Sequence, residues 1–487
     1  MNTFKLFVCT LFIVAVMPAV TLAQTSGCVT FSGDLVYGAT GSEVTTLQTF
    51  LKSQGYFSAA PVARFGPATL TAVRAFQRAQ GISATGTVGP LTRAAIRSAS
   101  CLPGQGNTPS ASTGAPLEVT GWIPYWRSAT GTADVLPNLS KLTEVNPFVY
   151  TLKSDGTFLD NGKLNEEPWL SFIAAAKAQK VRVIPTIMTS NSELLHNILS
   201  DQKKRIALED TIAALVKENN FDGIDIDFEG KRAEDKDNFS TFLKGLYQRM
   251  GQKWVMCTIE SRTPLDSRYY GTDVPQDATT YANDLKEINK YCDRVRIMAY
   301  DQQGIDLKLS AQAASSSQLY APVADPAWVE KVVNLMAKDI KRSKILIGVP
   351  TYGYEYDVTA YANNEYVYKI LWTFNPGYAW PLAQQYGITP QRNASGEMYF
   401  TYVNAATSSA PVSLGAESAK LAAAAASQYA TAYNSHVDFR LVEWPDAQSL
   451  QTKIDLARKL GVRGVSIFKF DGGEDPAVWD VLTGVKR

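Results

Sequence analysis

Four acidic residues fall within the short stretch FDGIDIDFEG: Asp222, Asp225, Asp227 and Glu229. Side chains alternate between the two faces of a β-strand. On a strand, Asp225, Asp227 and Glu229 therefore share one face, and Ile224, Ile226 and Phe228 share the other. The apolar face needs a covering layer, which turns the three carboxylates inward and leaves Glu229 at the C-terminal rim. Asp222 has the opposite parity and is read as structural support of the site. Same-face neighbours lie roughly 6.6 Å apart. At an effective dielectric near 20, one such repulsion is on the order of 2.5 kcal/mol, nearly two pKa units. Three ionised carboxylates are not expected to coexist there, so at least one keeps its proton near neutral pH. A carboxyl held neutral beside ionised neighbours is what a general acid needs. A divalent cation is the competing reading, because carboxylate oxygens suit Mg²⁺ or Ca²⁺. It would engage all three acids alike and leave their other partners unexplained, so no metal is expected.

The rest of the composition narrows the chemistry. The 487 residues carry 47 Lys and Arg against 46 Asp and Glu, with two histidines, His196 and His436. Two histidines so far apart argue against His-rich metal sites and Ser-His hydrolysis. A net charge of +1 lacks the basic field that a polyphosphate partner requires, so nucleic acid is not an expected partner. Hydrophobic residues at 45% and charged residues at 19% exclude a wholly disordered chain, and the length fits two or three domains. Nine Trp and 23 Tyr suit a sugar binder, but they suit the core of a large barrel equally well.

The elements that must position these acids are legible from residue 117 onward. Apolar strand-like segments occur at 118–125, 144–151, 181–189, 221–229, 254–261, 294–301, 344–352 and 464–471. Amphipathic helical stretches at 168–178, 202–218, 237–249 and 448–460 lie between some of them. Eight strands with mostly helical connections predict an α/β fold, a (β/α)8 TIM barrel spanning 117–487. One interval, between the seventh and eighth strands, is too long for a helix alone. It contains YVYKILWTF, GEMYFTYV and an Ala-rich helical stretch at 416–428. A small α+β insertion is expected there, at about 353–440, projecting on the catalytic face.

Before the barrel, residues 1–23 place Lys5 ahead of an apolar run ending in Thr21-Leu22-Ala23. The run is short for a bilayer span and is broken by Pro18, so a cleaved signal peptide is expected. The mature protein would then have no membrane span and would be secreted, periplasmic or cell-wall associated. Residues 28–101 repeat apolar positions at helical spacing (Val44, Leu47, Leu51; Leu70, Val73, Phe76) between glycine turns. Cys28 and Cys101 bracket this unit, and a bridge between them is expected. Residues 102–116, LPGQGNTPSASTGAP, are Pro-, Gly-, Ser- and Thr-rich and uncharged, so a flexible tether is expected there. Cys257 lies mid-strand and Cys292 just before the next strand; a bridge and two buried free thiols fit equally well.

Two resemblances join these readings. GSEVTTLQTFLKSQGYF, FGPATLTAVRAFQRAQGI and TGTVGPLTRAAI resemble the three-helix peptidoglycan-binding domain, which implies binding to bacterial cell-wall polymer. DGIDIDFE is similar to the DxxDxDxE signature of glycoside hydrolase family 18, the chitinase-like enzymes, and best matches its cell-wall and spore-cortex branch. IMAYD at 297–301 and VTGWIPYW at the first strand also fit. The resemblance implies substrate-assisted retention, in which the sugar's own 2-acetamido oxygen attacks the anomeric carbon; this family departs from the usual two-carboxylate scheme. It implies Glu229 as acid and then base, Asp227 as the group orienting the acetamide, and Asp225 sharing a proton with Asp227. Tyr300 would hydrogen-bond the acetamido oxygen, and Asp301 would contact the sugar. No cofactor is implied, and a monomer is expected. The family's usual Trp at the end of strand eight aligns with Phe468, which keeps a stacking face but loses the indole donor. With the wall-binding resemblance, the expected function is a secreted endo-β-N-acetylglucosaminidase acting on peptidoglycan. A chitinase or chitooligosaccharide hydrolase is the alternative, and an inactive wall- or chitin-binding lectin is the alternative from another class.

Overall fold

A computed structural model describes residues 29, 31, 33–79, 84–100, 116–315, 318–403 and 419–486. The expected signal segment, Cys28, Cys101 and nearly all of the tether lie outside the described residues. The chain divides into two units.

The first unit is built from helices α1 (Ser42–Ser53), α2 (Pro67–Ala79) and α3 (Pro90–Ser100). Val44, Leu47, Leu51, Val73, Phe76 and Ile96 share one buried cluster, as their helical spacing requires. The polar side chain of Gln48 is also buried there. Its amide donates to Thr69 Oγ1 at 2.8 Å and to the Arg64 carbonyl at 2.9 Å, which offsets the cost of taking it out of water.

The second unit is a closed barrel of eight parallel strands. They are β1 (Glu118–Pro124), β2 (Glu144–Leu152), β3 (Arg182–Val183 continued by Thr186–Thr189), β4 (Gly223–Phe228), β5 (Trp254–Glu260), β6 (Arg294–Met298), β7 (Ile345–Pro350) and β8 (Gly464–Phe468). Each pairs with its sequence neighbour, and β1 closes the ring by pairing with both β2 and β8. The expected single third strand is broken after Val183, where Pro185 has no N–H to donate to a ladder.

Helices including Gln202–Glu218, Lys236–Met250 and Pro326–Met336 cover the outside. On β4 the parity holds: Phe228 faces outward and stacks on Phe242 of the covering helix, ring centroids 5.6 Å apart. Cys257 and Cys292 are bridged. The bond does not run along the strands. Cys292 ends the helix Leu285–Tyr291, and this brings it within 5.9 Å, Cα to Cα, of Cys257 on β5.

Between β7 and β8 the insertion forms a five-stranded antiparallel sheet. Its strands are Gly353–Ala360, Tyr366–Phe374, Gln391–Arg392, Met398–Tyr402 and Val437–Trp444, with helices Pro376–Gln385 and Ala419–Tyr433.

The base of the barrel is tied by charge. Glu118 at the start of β1 accepts from Arg294 at 2.8 Å and from Arg463 at 2.6 Å, and lies 3.7 Å from Arg182. Asp222 also sits at this end, where it accepts the Val183 N–H at 2.8 Å. Its side chain thus ties β4 to β3 rather than reaching the carboxylate face.

Candidate active site

The inward face of β4 carries Asp225 and Asp227, both buried, with Glu229 half-buried just beyond the strand's end. Asp225 is saturated with partners. Its Oδ2 accepts from Thr186 Oγ1 at 2.8 Å and from Trp122 Nε1 at 3.1 Å; its Oδ1 accepts from Thr258 Oγ1 at 2.9 Å. Arg296 Nη1 lies 2.7 Å from Asp225 Oδ2 and also pairs with Glu144. One of the three crowded charges is thereby neutralised by a cation that the reading of β4 alone did not include. No hydrogen bond joins Asp225 to Asp227 among the described residues, so the expected proton sharing has no direct contact behind it here.

Asp227 stands differently. Its Oδ1 is buried and has no hydrogen-bond partner among the described residues. Burial, then the charges of Glu229 and Asp225, push its carboxyl well above the ordinary range, so it favours the protonated form. Glu229 is raised as well, by burial first and then by Glu260 and Asp301, while Lys231 pulls it back.

Opposite these acids, Tyr300 is buried just past the end of β6. Its ring lies nearly parallel to that of Phe468, with centroids 5.8 Å apart and planes 19° from parallel. Burial, then the Asp227 charge, keep its phenol protonated and able to donate. Gly348 on β7 makes room for this ring, because a Cβ there would lie 2.8 Å from Tyr300 Cε1 and 2.5 Å from the Ile297 carbonyl. Asp301 adopts φ 58° and accepts from Tyr352 OH at 2.5 Å and Tyr354 OH at 2.6 Å. Phe468 touches Trp122, Phe148 and Tyr352 as well as Tyr300. A cleft of about 480 Å³ runs from Asp301 and Phe468 to half-exposed Trp126 and to Thr373, Phe374 and Asn375 of the insertion. The insertion therefore forms one wall of the groove.

The strand reading missed Arg296, Glu144, Trp122, Thr258, Tyr352 and Tyr354. A signal existed for the first: RVRIMAYD gives Arg294, Arg296, Met298 and Tyr300 one parity, the inward one. Among the described residues, no group of three or more His, Cys, Asp or Glu is arranged to hold a metal ion, and no helix is long and apolar enough to cross a membrane.

The family model "Glycosyl hydrolases family 18" matches residues 120–473, and "Putative peptidoglycan binding domain" matches residues 40–96. The uncharacterized glycosylase YvbX of Bacillus subtilis is 22% identical over 70% of this chain and 86% of its own length. Chitinase A1 of Niallia circulans is 27% identical over 37% of this chain and 28% of its own length. Among solved structures, the spore cortex-lytic enzyme SleL of Bacillus megaterium shares the fold with a TM-score of 0.56 and 20% identity. That match covers 77% of this chain and 75% of the other.

Proposed function

The chain belongs to the glycosyl hydrolases of family 18, and from that premise we propose that it is a secreted endo-β-N-acetylglucosaminidase that cuts the glycan of peptidoglycan. The observation that carries this reading is the meeting of two neighbouring carboxyls, Asp227 and Glu229, with the buried phenol of Tyr300 at the barrel mouth. A neutral Glu229 at the rim can give its proton to the leaving glycosidic oxygen. The 2-acetamido oxygen attacks the anomeric carbon as that bond breaks, and a cyclic oxazolinium ion forms. In its ionised form, Asp227 holds the acetamide N–H and offsets the positive charge. Asp225, paired with Arg296, works on Asp227 through its field. Tyr300 O–H steadies the acetamido oxygen as it approaches. Water then adds at the anomeric carbon while Glu229 takes back a proton, and the configuration is retained.

The choice of peptidoglycan over chitin rests on the helical unit at 40–96, which resembles wall-binding domains. Tethered to the barrel, it would raise the local concentration of wall glycan. Chitin is the second reading, favoured by the likeness to chitinase A1. Mass spectrometry of products from purified peptidoglycan and from chitohexaose, digested side by side, separates the two. Peptidoglycan fragments ending in a reducing N-acetylglucosamine are expected. Cleavage of chitohexaose with peptidoglycan left whole would replace this reading with the chitinase one. Fragments ending in the lactyl-bearing sugar would overturn the assigned bond.

A further inference from the structure

The acidic signature stops at Glu229, yet the backbone on both sides of that residue is held by charged side chains. Lys231 Nζ donates to the carbonyl of Phe228, the residue between Asp227 and Glu229. Glu260, the last residue of β5, accepts the N–H of Gly230 at 3.1 Å. The two clamps are themselves an ion pair, with Lys231 Nζ and Glu260 Oε2 3.9 Å apart. Glu260 is steadied by Asn283, whose Nδ2 donates to it at 2.8 Å. The Glu229 N–H is also fixed, donating to the Thr189 carbonyl at 2.9 Å.

Only 1% of the Lys231 side chain is exposed, and its ammonium lies 4.7 Å from the ring centre of Phe239. Burying an ammonium is costly unless it is paired, and an apolar side chain would fill this space with no such cost. The charge therefore calls for a reason, and its surroundings supply one. The titratable groups around Glu229 are Asp227 on its own strand, Lys231 after it, Glu260 on β5, and Tyr300 and Asp301 beyond β6. Lys231 is the one cation among them.

We propose that Lys231 and Glu260 form a positioning pair that clamps the backbone on either side of Glu229 and sets the charge it experiences. This rests on the assignment of Glu229 as the proton donor. The two halves act on Glu229 in opposite senses: the ammonium favours its ionised form, and the carboxylate favours its protonated form.

The test measures kcat against pH for the full chain, on whichever of peptidoglycan or chitohexaose the wild type cleaves. Activity needs protonated Glu229, so its ionisation sets the alkaline limb. Lys231→Met removes the cation and the clamp; the limb is expected to move to higher pH, and kcat to fall by roughly tenfold or more. Glu260→Gln keeps an oxygen for the Gly230 N–H and removes the charge, together with the hydrogen bond from Asn283; the limb is expected to move to lower pH. Lys231→Arg should hold it near the wild-type position. A purely structural role would lower activity and leave both limbs in place, and that result overturns the proposal, as does movement of both limbs in one direction. If Lys231→Met does not fold, the partly exposed Glu260→Gln still decides by the direction of its limb. Glu229→Gln is run alongside. Full activity in that variant overturns the donor assignment, whereas an inactive Glu229→Gln with unmoved limbs in the other variants overturns the positioning pair alone.

Discussion

Arg296 Nη1 lies 2.7 Å from Asp225 Oδ2, with both side chains fully buried inside the barrel. This pair is the inner end of a column of alternating charge that begins at Glu118, passes through Arg182 to Glu144, and reaches Asp225 through Arg296. The column lets a barrel interior hold carboxylates at all, because each buried charge meets an opposite one. Removing one member strands its neighbours. Arg296→Met is expected to destabilise the protein by roughly 3–5 kcal/mol, as breaking a buried pair commonly does. Denaturant unfolding of the variant checks this, and a loss below about 1 kcal/mol, the scale of an exposed pair, would contradict it.

Glu229→Gln keeps the shape of the side chain and removes the transferable proton. Turnover is expected to fall by about 10²–10⁴, the usual worth of a general acid, with sugar binding retained. Asp227→Asn should also cut turnover, because a neutral amide cannot offset the charge of the cyclic intermediate. Steady-state rates together with calorimetric titration of a chitooligosaccharide separate lost chemistry from lost binding. Glycans without a 2-acetamido group should not react with any form of the enzyme.

The base of the barrel predicts an acid limb of stability. Burial by itself would raise the Glu118 carboxyl, but hydrogen bonds from Arg294 and Arg463, with the charges of Arg294 and Arg182, outweigh it and bring it down to about 2. A carboxyl depressed in the folded state stabilises the fold above its unfolded pKa, and that contribution disappears as pH falls toward the folded value. The window therefore runs from about 4.5 down to about 2. The contribution lost across it is about 3 kcal/mol. Unfolding free energies measured across that range should fall steeply in the wild type and less steeply in Glu118→Gln. Parallel curves would show that Glu118 is not the linked group.

Deleting residues 24–116 removes the helical unit and the tether. Binding to intact wall sacculi is expected to weaken by roughly tenfold or more, since the second contact is no longer held close. Hydrolysis of soluble oligosaccharides should be unchanged. A pull-down on sacculi and a rate assay on oligosaccharides measure the two effects separately, and equal losses on both would argue against a modular tether.

The period-2 rule on β4 was enough to place Asp225, Asp227 and Glu229 on one face and Asp222 off it, because strand parity is local geometry that the order of residues dictates. Helical spacing likewise marked the core of the first unit at Val44, Leu47 and Leu51. The partners of those residues were not legible in the same way. Arg296 meets Asp225, Glu260 holds Gly230, and Tyr352 and Tyr354 hold Asp301 only because closing the ring brings β4, β5, β6 and the start of the insertion to one mouth. The Cys257–Cys292 bond was decided the same way, by a helix end lying over β5. Local order thus determined which chemical groups point inward. Which of them are neutralised and which keep a proton depends on burial and on charges distant in sequence, and only the closed barrel sets those.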